Sequence, residues 1–431
     1  MPVRSETVQG FSTTSFLSPP IAPALCHPPR ARERSFLVNN PSHARYDVVV
    51  AGAGLVGLSL APMLARSGLA VALVDRAPVA STPADPDSWD VRVYAISPGS
   101  AAFLQMVGAW QALPCERIAA IESMRVEGDA GAALQFSAYD LGERALAWIV
   151  EERELRAALL PRVHEAGVEV IGGATFESLA WSADAGALRL ADGRVLEARL
   201  IVGADGARSW AREAAGIVAA PRSYGQTAVV ANFSCEHAHH GRARQWFRSD
   251  GGVLAWLPLP GRRISIVWSA PDAQAQLLLA LDAEMLASRV ADAGSNALGK
   301  LVGITPAAGF PLSYLRLPTS VALRLALVGD AAHGVHPLAG QGVNLGFGDA
   351  QALSAVLAER GPVADAGAPL LLERYARRRA EPVLAMQAVT DGLARLFGPN
   401  TPWLKALRNA GLSAVDRLPL LKRVLAQPAL R

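Results

Sequence analysis

Apolar residues come in uninterrupted blocks near the start of the folded part of this chain. Tyr46-Asp47-Val48-Val49-Val50-Ala51 is followed by a glycine-rich turn, a helix-length stretch from about Leu55 to Ser67, and Ala70-Val71-Ala72-Leu73-Val74-Asp75. Continuous short apolar runs on either side of a helix predict a βαβ unit whose strands are buried on both faces. Pro62 inside the helix should kink it or shift its start. A later region has a different rhythm. Trp246-Phe247, Gly252 to Leu259 and Ile264 to Trp268 read as strands of a separate antiparallel sheet, with a hairpin turn at Gly261-Arg262. Alternation places Leu254, Trp256 and Pro258 on one face, and Ile264, Ile266 and Trp268 on one face of the partner strand. Such a face either lines a pocket for a large apolar ring or forms core against the rest of the protein. Helical periodicity takes over from Ala350 to Arg360 and from Leu370 through Phe397.

The pattern predicts an α/β fold with an α+β portion. A Rossmann-like, doubly wound domain is assembled from 46–110, 145–215 and 320–365. A mixed or antiparallel sheet comes from 111–144 and 216–319, and a helical region from 366–431. Residues 1–45 lack periodicity, are rich in Ser, Pro and Arg, and hold only Glu6 and Glu33 as acids. They read as a disordered leader, because their prolines would break the amphipathic helix of a transit peptide.

Composition narrows the function classes. No apolar run reaches the roughly 18–20 residues needed to span a bilayer, so no transmembrane helix is expected. The 41 basic and 38 acidic residues leave a net charge of +3, too small an excess to suggest nucleic acid. Cys26, Cys115 and Cys235 are odd in number and far apart, without a CxxC pair, which points to a reducing compartment. No metal site is expected, because His333 and His336 have no further histidine nearby in sequence.

Three segments share one grammar of strand, glycine turn and helix start. In Gly52-Ala53-Gly54-Leu55-Val56-Gly57, Gly52 suits the tight turn, Gly54 the close approach of a pyrophosphate, and Gly57 the packing of helix on strand. Asp75 ends the next strand, placed to accept hydrogen bonds from a ribose. In Leu200-Ile201-Val202-Gly203-Ala204-Asp205-Gly206, Asp205 could serve as the N-cap of the following helix. In the third, Gly329-Asp330 closes a strand and Gly340-Gln341-Gly342-Val343-Asn344 opens a helix. Asp330 is placed for a polyol, and the loop glycines let backbone approach a flat ring.

The run His336-Pro337-Leu338-Ala339-Gly340-Gln341-Gly342-Val343-Asn344-Leu345-Gly346 through Asp349 resembles the signature of the ubiquinone-biosynthesis hydroxylases. These are a branch of the FAD-dependent aromatic monooxygenases with the para-hydroxybenzoate hydroxylase fold. The likeness spans about Tyr46 to Phe397. It implies FAD as cofactor, held by Gly52, Gly54, Gly57, Asp75, Arg92, Asp205, Gly329, Asp330, Gly340, Gln341, Gly342, Val343 and Asn344. Arg92, in a segment similar to one that overlies the flavin, and Asp205, in an Asp-Gly motif that also serves the passing nicotinamide nucleotide, are the implied catalytic residues, with Arg212 as helper. Glu152 stands where the family has Asn, and reads as an exposed first-turn glutamate.

The activity so implied is hydroxylation of a polyprenylated phenol in ubiquinone biosynthesis, with NAD(P)H as transient co-substrate and O2, through a C4a-hydroperoxyflavin. No second GxGxxG provides a separate nicotinamide domain. A halogenase is disfavoured, because no lysine precedes Lys300. An epoxidase or hydroxylase of another aromatic substrate, and a non-catalytic flavoprotein scaffold, remain as rivals. The resemblance also implies a cytoplasmic chain, peripheral at the inner face of a bacterial membrane. Residues 401–431 carry six basic residues against Asp416 alone. They could contact an anionic membrane or another ubiquinone-pathway protein, with packing on their own domain as the default.

Overall fold

The computed structural model describes residues 43–80, 85, 87–219, 221–336, 342–361, 364–397, 408–409 and 416. Five parallel strands form the frame of the first sheet, in the order Leu325–Leu327, Val195–Gly203, His43–Ala51, Val71–Val74 and Glu169–Ile171. The continuous apolar runs follow from burial on both faces. Val48, Val50, Leu200 and Val202 meet helices Leu55–Arg66, Glu152–Glu165 and Gly342–Ala358. Val49, Ala51, Ala72 and Ile201 on the other side meet Phe176, Leu188 and Leu190 of the antiparallel hairpin Phe176–Trp181/Gly186–Leu190.

The first strand starts at His43, not Tyr46, so the leader reading overran by three residues. His43, Ala44 and Arg45 continue the parallel pairing opposite Val195, Leu196 and Glu197, and Arg45 Nε donates to Glu197 Oε2 at 3.1 Å. The remainder of the leader lies outside the described residues. The first helix begins at Leu55 and runs through Pro62 to Arg66.

Among the described residues the second sheet has nine strands, antiparallel except where Arg242–Phe247 pairs parallel with Ser123–Glu127. Its outer face carries Trp246, Leu254, Trp256, Ile264, Ile266 and Trp268 packed against helices Asp272–Leu279 and Ala283–Ala293. Trp256 and Trp268 are 1% and 0% exposed. The tryptophan face is therefore core beneath two helices, on the side turned away from the cavity described below. The pocket reading of that face is overturned. The opposite parity, including Ala255, Leu257 and Val267, faces the cavity.

Helix Pro369–Phe397 closes the described body, anchored where Tyr375 Oη donates to the Leu327 carbonyl at 2.7 Å. Arg408 is buried and paired with Asp129, so this cation of the basic tail is not available to an external surface. Among the described residues no helix is long and apolar enough to cross a membrane.

Candidate functional site

A cavity of about 1420 Å³ extends from the C-terminal ends of the parallel strands to the inner face of the second sheet. Its polar end is built from the three glycine turns. Gly52 has φ +117°, and a Cβ there would lie 2.2 Å from the Ala204 carbonyl oxygen, so the chain turns and two loops touch only because the residue is glycine. A Cβ on Gly57 would lie 1.9 Å from the Gly52 carbonyl oxygen. Gly54 differs. Its φ of −71° suits any residue, and nothing lies within 4 Å of where its Cβ would stand. It caps the helix without a side-chain bond, leaving first-turn N–H groups and the positive helix end turned to the cavity.

Three carboxylates stand at the strand ends. Asp75 Oδ2 accepts the Ala53 N–H at 2.5 Å and Oδ1 the Ala77 N–H at 2.7 Å, which fixes the acid beside the glycine turn. Asp205 Oδ2 accepts the Ala211 N–H at 3.0 Å, while Oδ1 is buried with no partner among the described residues. The N-cap of helix Trp210–Ala214 is Ser209, whose hydroxyl accepts the Arg212 N–H, so the reading of Asp205 as N-cap is corrected. Arg212 is 2% exposed and donates to the Ala331 carbonyl at 3.0 Å and the Ala207 carbonyl at 3.1 Å, tying the second glycine turn to the third.

Asp330 borders the cavity, so its side chain is solvent-accessible there although protein surrounds it on its other sides. That surrounding raises its pKa, with His333 opposing, Asp349 adding to the rise and Arg92 opposing. The turn that carries it is fixed from below. Gly329, at φ +61°, donates its N–H to Asp349 Oδ2 at 2.8 Å. The same buried carboxylate receives His333 Nε2 and Arg379 Nε, each at 2.6 Å. Burial alone would raise the Asp349 carboxyl, but these two partners hold it below the ordinary carboxylate value.

Arg92 lines the cavity, with Nη1 2.9 Å from Glu152 Oε2 and its guanidinium 4.9 Å from the Phe310 ring centre. Burial works against the charged guanidinium, yet the bond to Glu152 leaves its pKa raised. Tyr94 Oη donates to the same Glu152 oxygen at 3.4 Å, and burial followed by Glu152 pushes the phenol pKa up. Glu152 does open a helix, but only 18% of its side chain is exposed and it lines the cavity, which overturns its reading as an exposed first-turn glutamate.

Gly52, Gly54, Asp75, Arg92, Asp205, Gly329, Asp330, Gly342 and Val343 thus meet around one cavity. Gly57 packs behind the turn. The Asn344 side chain points elsewhere: Oδ1 accepts the Ser97 N–H at 3.0 Å and Nδ2 donates to the Ala95 carbonyl at 2.8 Å, clamping the helix to strand Val93–Ile96. Gly340 and Gln341 lie outside the described residues. His333 serves Asp349, and His336 Nε2 is 3.1 Å from Gln226 Oε1. Arg156, which donates to the Ala53 carbonyl at 2.9 Å, and Arg379 were missed, since nothing local distinguishes either from a surface arginine.

These residues fit a dinucleotide. Open space at Gly54 and Gly342 suits close approach of phosphate or ring, free helix-start N–H groups suit an anion, and the orphaned Asp205 Oδ1 calls for a donor. The other end of the cavity is walled mainly by aliphatic and aromatic side chains, with Arg244, Gln245 and Arg408 among them.

A family model described as FAD binding domain matches residues 45–390. Ubiquinone hydroxylase UbiL of Rhodospirillum rubrum is 37% identical over 395 residues, covering 89% of each chain. The 3-demethoxyubiquinol 3-hydroxylase of Escherichia coli is 35% identical, covering 91% of this chain and 100% of the other. The solved structure of Pseudomonas aeruginosa PqsL in complex with 2-aminobenzoylacetate superposes with a TM-score of 0.72 at 27% identity, covering 86% and 99%. With the strand-end cavity and its three glycine turns, these likenesses identify the chain as a member of the FAD-binding-domain family of FAD-dependent monooxygenases.

Proposed function

We propose that this protein hydroxylates the aromatic ring of a polyprenylated phenol in ubiquinone biosynthesis, using NAD(P)H and O2. The observation that carries the reading is the division of one cavity into a polar end of glycine turns and carboxylates and an apolar end against the second sheet. The full-length likeness to two ubiquinone-pathway hydroxylases supports the choice of substrate. FAD, when bound, would supply the redox chemistry by which two electrons from NAD(P)H and O2 yield one oxygen atom in the ring and one molecule of water.

The protein binds, orients and keeps water out. First-turn N–H groups at Gly54 receive the diphosphate, while Asp75 and Asp330 accept hydrogen bonds from hydroxyls of the cofactor. Arg92 and the helix start at Gly342 offer positive potential beside a ring that gains negative charge on reduction. Asp205, with one carboxylate oxygen unpartnered among the described residues, would accept a hydrogen bond from the flavin or the transient nicotinamide nucleotide. The sheet's aliphatic wall excludes water and takes the prenyl chain. Peripheral contact with the cytoplasmic face of a membrane, through basic residues of 401–431 other than the buried Arg408, gives a lipid-soluble substrate its route in.

Complementation tests the reading. The chain is expressed in bacterial strains each lacking one ubiquinone-pathway hydroxylase, and quinone intermediates are identified by mass spectrometry. Restored ubiquinone in one strain supports the assignment and fixes the ring position. Failure in every strain, with FAD-loaded protein present, overturns it in favour of another aromatic substrate or a scaffold role.

A further inference from the structure

The inner face of the second sheet puts one row of side chains across the cavity wall: Leu134, Val126, Gln245, Ala255, Val267 and Val230, each opposite the next on adjoining strands. Gln245 is the sole polar member. It is 6% exposed and lines the cavity, and among the described residues its carboxamide has no hydrogen-bond partner. Other glutamines in the neighbourhood are satisfied. Gln226 bonds the Gly251 carbonyl and His336, and Gln387 bonds the Leu315 carbonyl. The carboxamide borders the cavity, so solvent reaches it there, and a ligand that displaces that water has to replace the hydrogen bonds the water made. Such an arrangement suits a partner that arrives with the ligand.

We infer that Gln245 is a specificity-determining residue whose side-chain oxygen accepts the O–H of a phenolic ligand and thereby fixes which ring edge faces the cofactor end of the cavity. The inference rests on the phenol reading given above. Its chemistry follows from the wall itself. Leu134, Val126, Ala255, Val267 and Val230 supply contact without direction, so in this row only Gln245 distinguishes one ring orientation from another. A ligand with the same hydrocarbon but no hydroxyl would leave the carboxamide unpaired and bind more weakly.

The test uses the full FAD-loaded chain and two probes, 2-farnesylphenol and farnesylbenzene, titrated by the flavin difference spectrum. The wild-type protein is expected to prefer the phenol by about tenfold, the effect of one hydrogen bond in an enclosed site. In Gln245→Met and in Gln245→Ala the preference falls to less than about twofold, because the phenol loses affinity and farnesylbenzene does not. A general packing defect would weaken both probes together, and retained FAD reports the fold. Reading both variants guards against a defect peculiar to one side chain. Preference for the phenol that survives in both variants, or equal binding of the two probes by the wild type, overturns the role of Gln245 while leaving the substrate class standing. Binding of neither probe by the wild type overturns the phenol reading and the inference with it.

Discussion

Arg92 Nη1 donates to Glu152 Oε2 at 2.9 Å inside the wall of a cavity that also holds Asp75, Asp205 and Asp330. Half of the Arg92 side chain is exposed, so the pair contributes little to folding. Its effect falls on the ligand. Glu152 occupies the guanidinium and adds a negative charge to the cavity proposed to take a diphosphate. Glu152→Gln is expected to tighten FAD binding by about three- to tenfold, with the gain shrinking as salt is raised. Fluorescence titration of the apoprotein at low and high ionic strength measures it. Weaker binding in the variant would mean that Glu152 holds Arg92 in the orientation the cofactor needs.

Gly54 and Gly57 lie in one turn yet answer to different constraints. A Cβ at Gly57 meets the Gly52 carbonyl oxygen at 1.9 Å, whereas one at Gly54 meets nothing within 4 Å. Gly54→Ala should therefore leave the apoprotein within about 0.5 kcal/mol of wild type and weaken FAD binding more than about tenfold. Gly57→Ala should destabilise the apoprotein itself by about 1–3 kcal/mol. Urea denaturation of both apoproteins, followed by FAD titration, separates the two effects. Normal FAD affinity in Gly54→Ala would contradict the assignment of that turn to the diphosphate.

The parts legible in the sequence are those where one physical demand has one residue pattern. Strands buried on both faces need uninterrupted apolar runs, and Tyr46 to Ala51 and Ala70 to Val74 show them. Turns that bring backbones into contact need glycine, which marks Gly52 and Gly57. The parity of the second sheet was equally visible, but its sense was not. Both faces are apolar, and only the helices over 272–279 and 283–293 decide that Trp256 and Trp268 lie in core while Ala255 and Val267 meet the cavity. Glu152 was misread because a glutamate in a first helical turn is equally stable in solvent, and the pairing with Arg92 spans 60 residues of sequence. The link between Asp349 and Arg379 is hidden for the same reason, each sitting on its own helix.

Asp349 holds the turn that presents Asp330, through the Gly329 N–H, while His333 and Arg379 hold Asp349. Asp349→Asn leaves Arg379, 12% of whose side chain is exposed, without its countercharge, at an expected cost of up to about 3–5 kcal/mol. Arg379→Met alone should cost a similar amount. The double variant should cost clearly less than the two together, since the second change removes the stranded charge. Urea denaturation of the apoproteins closes this cycle, and additive costs would show that the pair is not energetically coupled.

His336 sets a pH limit on the same region. Its ring is buried edge-on to Tyr224, with centroids 4.8 Å apart, and burial, partly opposed by Asp391, lowers its pKa from 6.5 to about 4. A histidine depressed in this way stays neutral in the native state while the unfolded chain takes up a proton. Between pH 6.5 and about 4 the unfolded state therefore binds more protons, and stability falls as pH is lowered through that window. Above pH 6.5 both states are neutral at this site and the contribution is flat. His336→Gln removes the titration while keeping a group able to bond Gln226 Oε1. The variant is expected to be somewhat less stable at pH 7.5 and to lose less on going to pH 5, so that the two melting curves converge. A difference in melting temperature that does not change between those pH values would show that His336 is not protonated on unfolding.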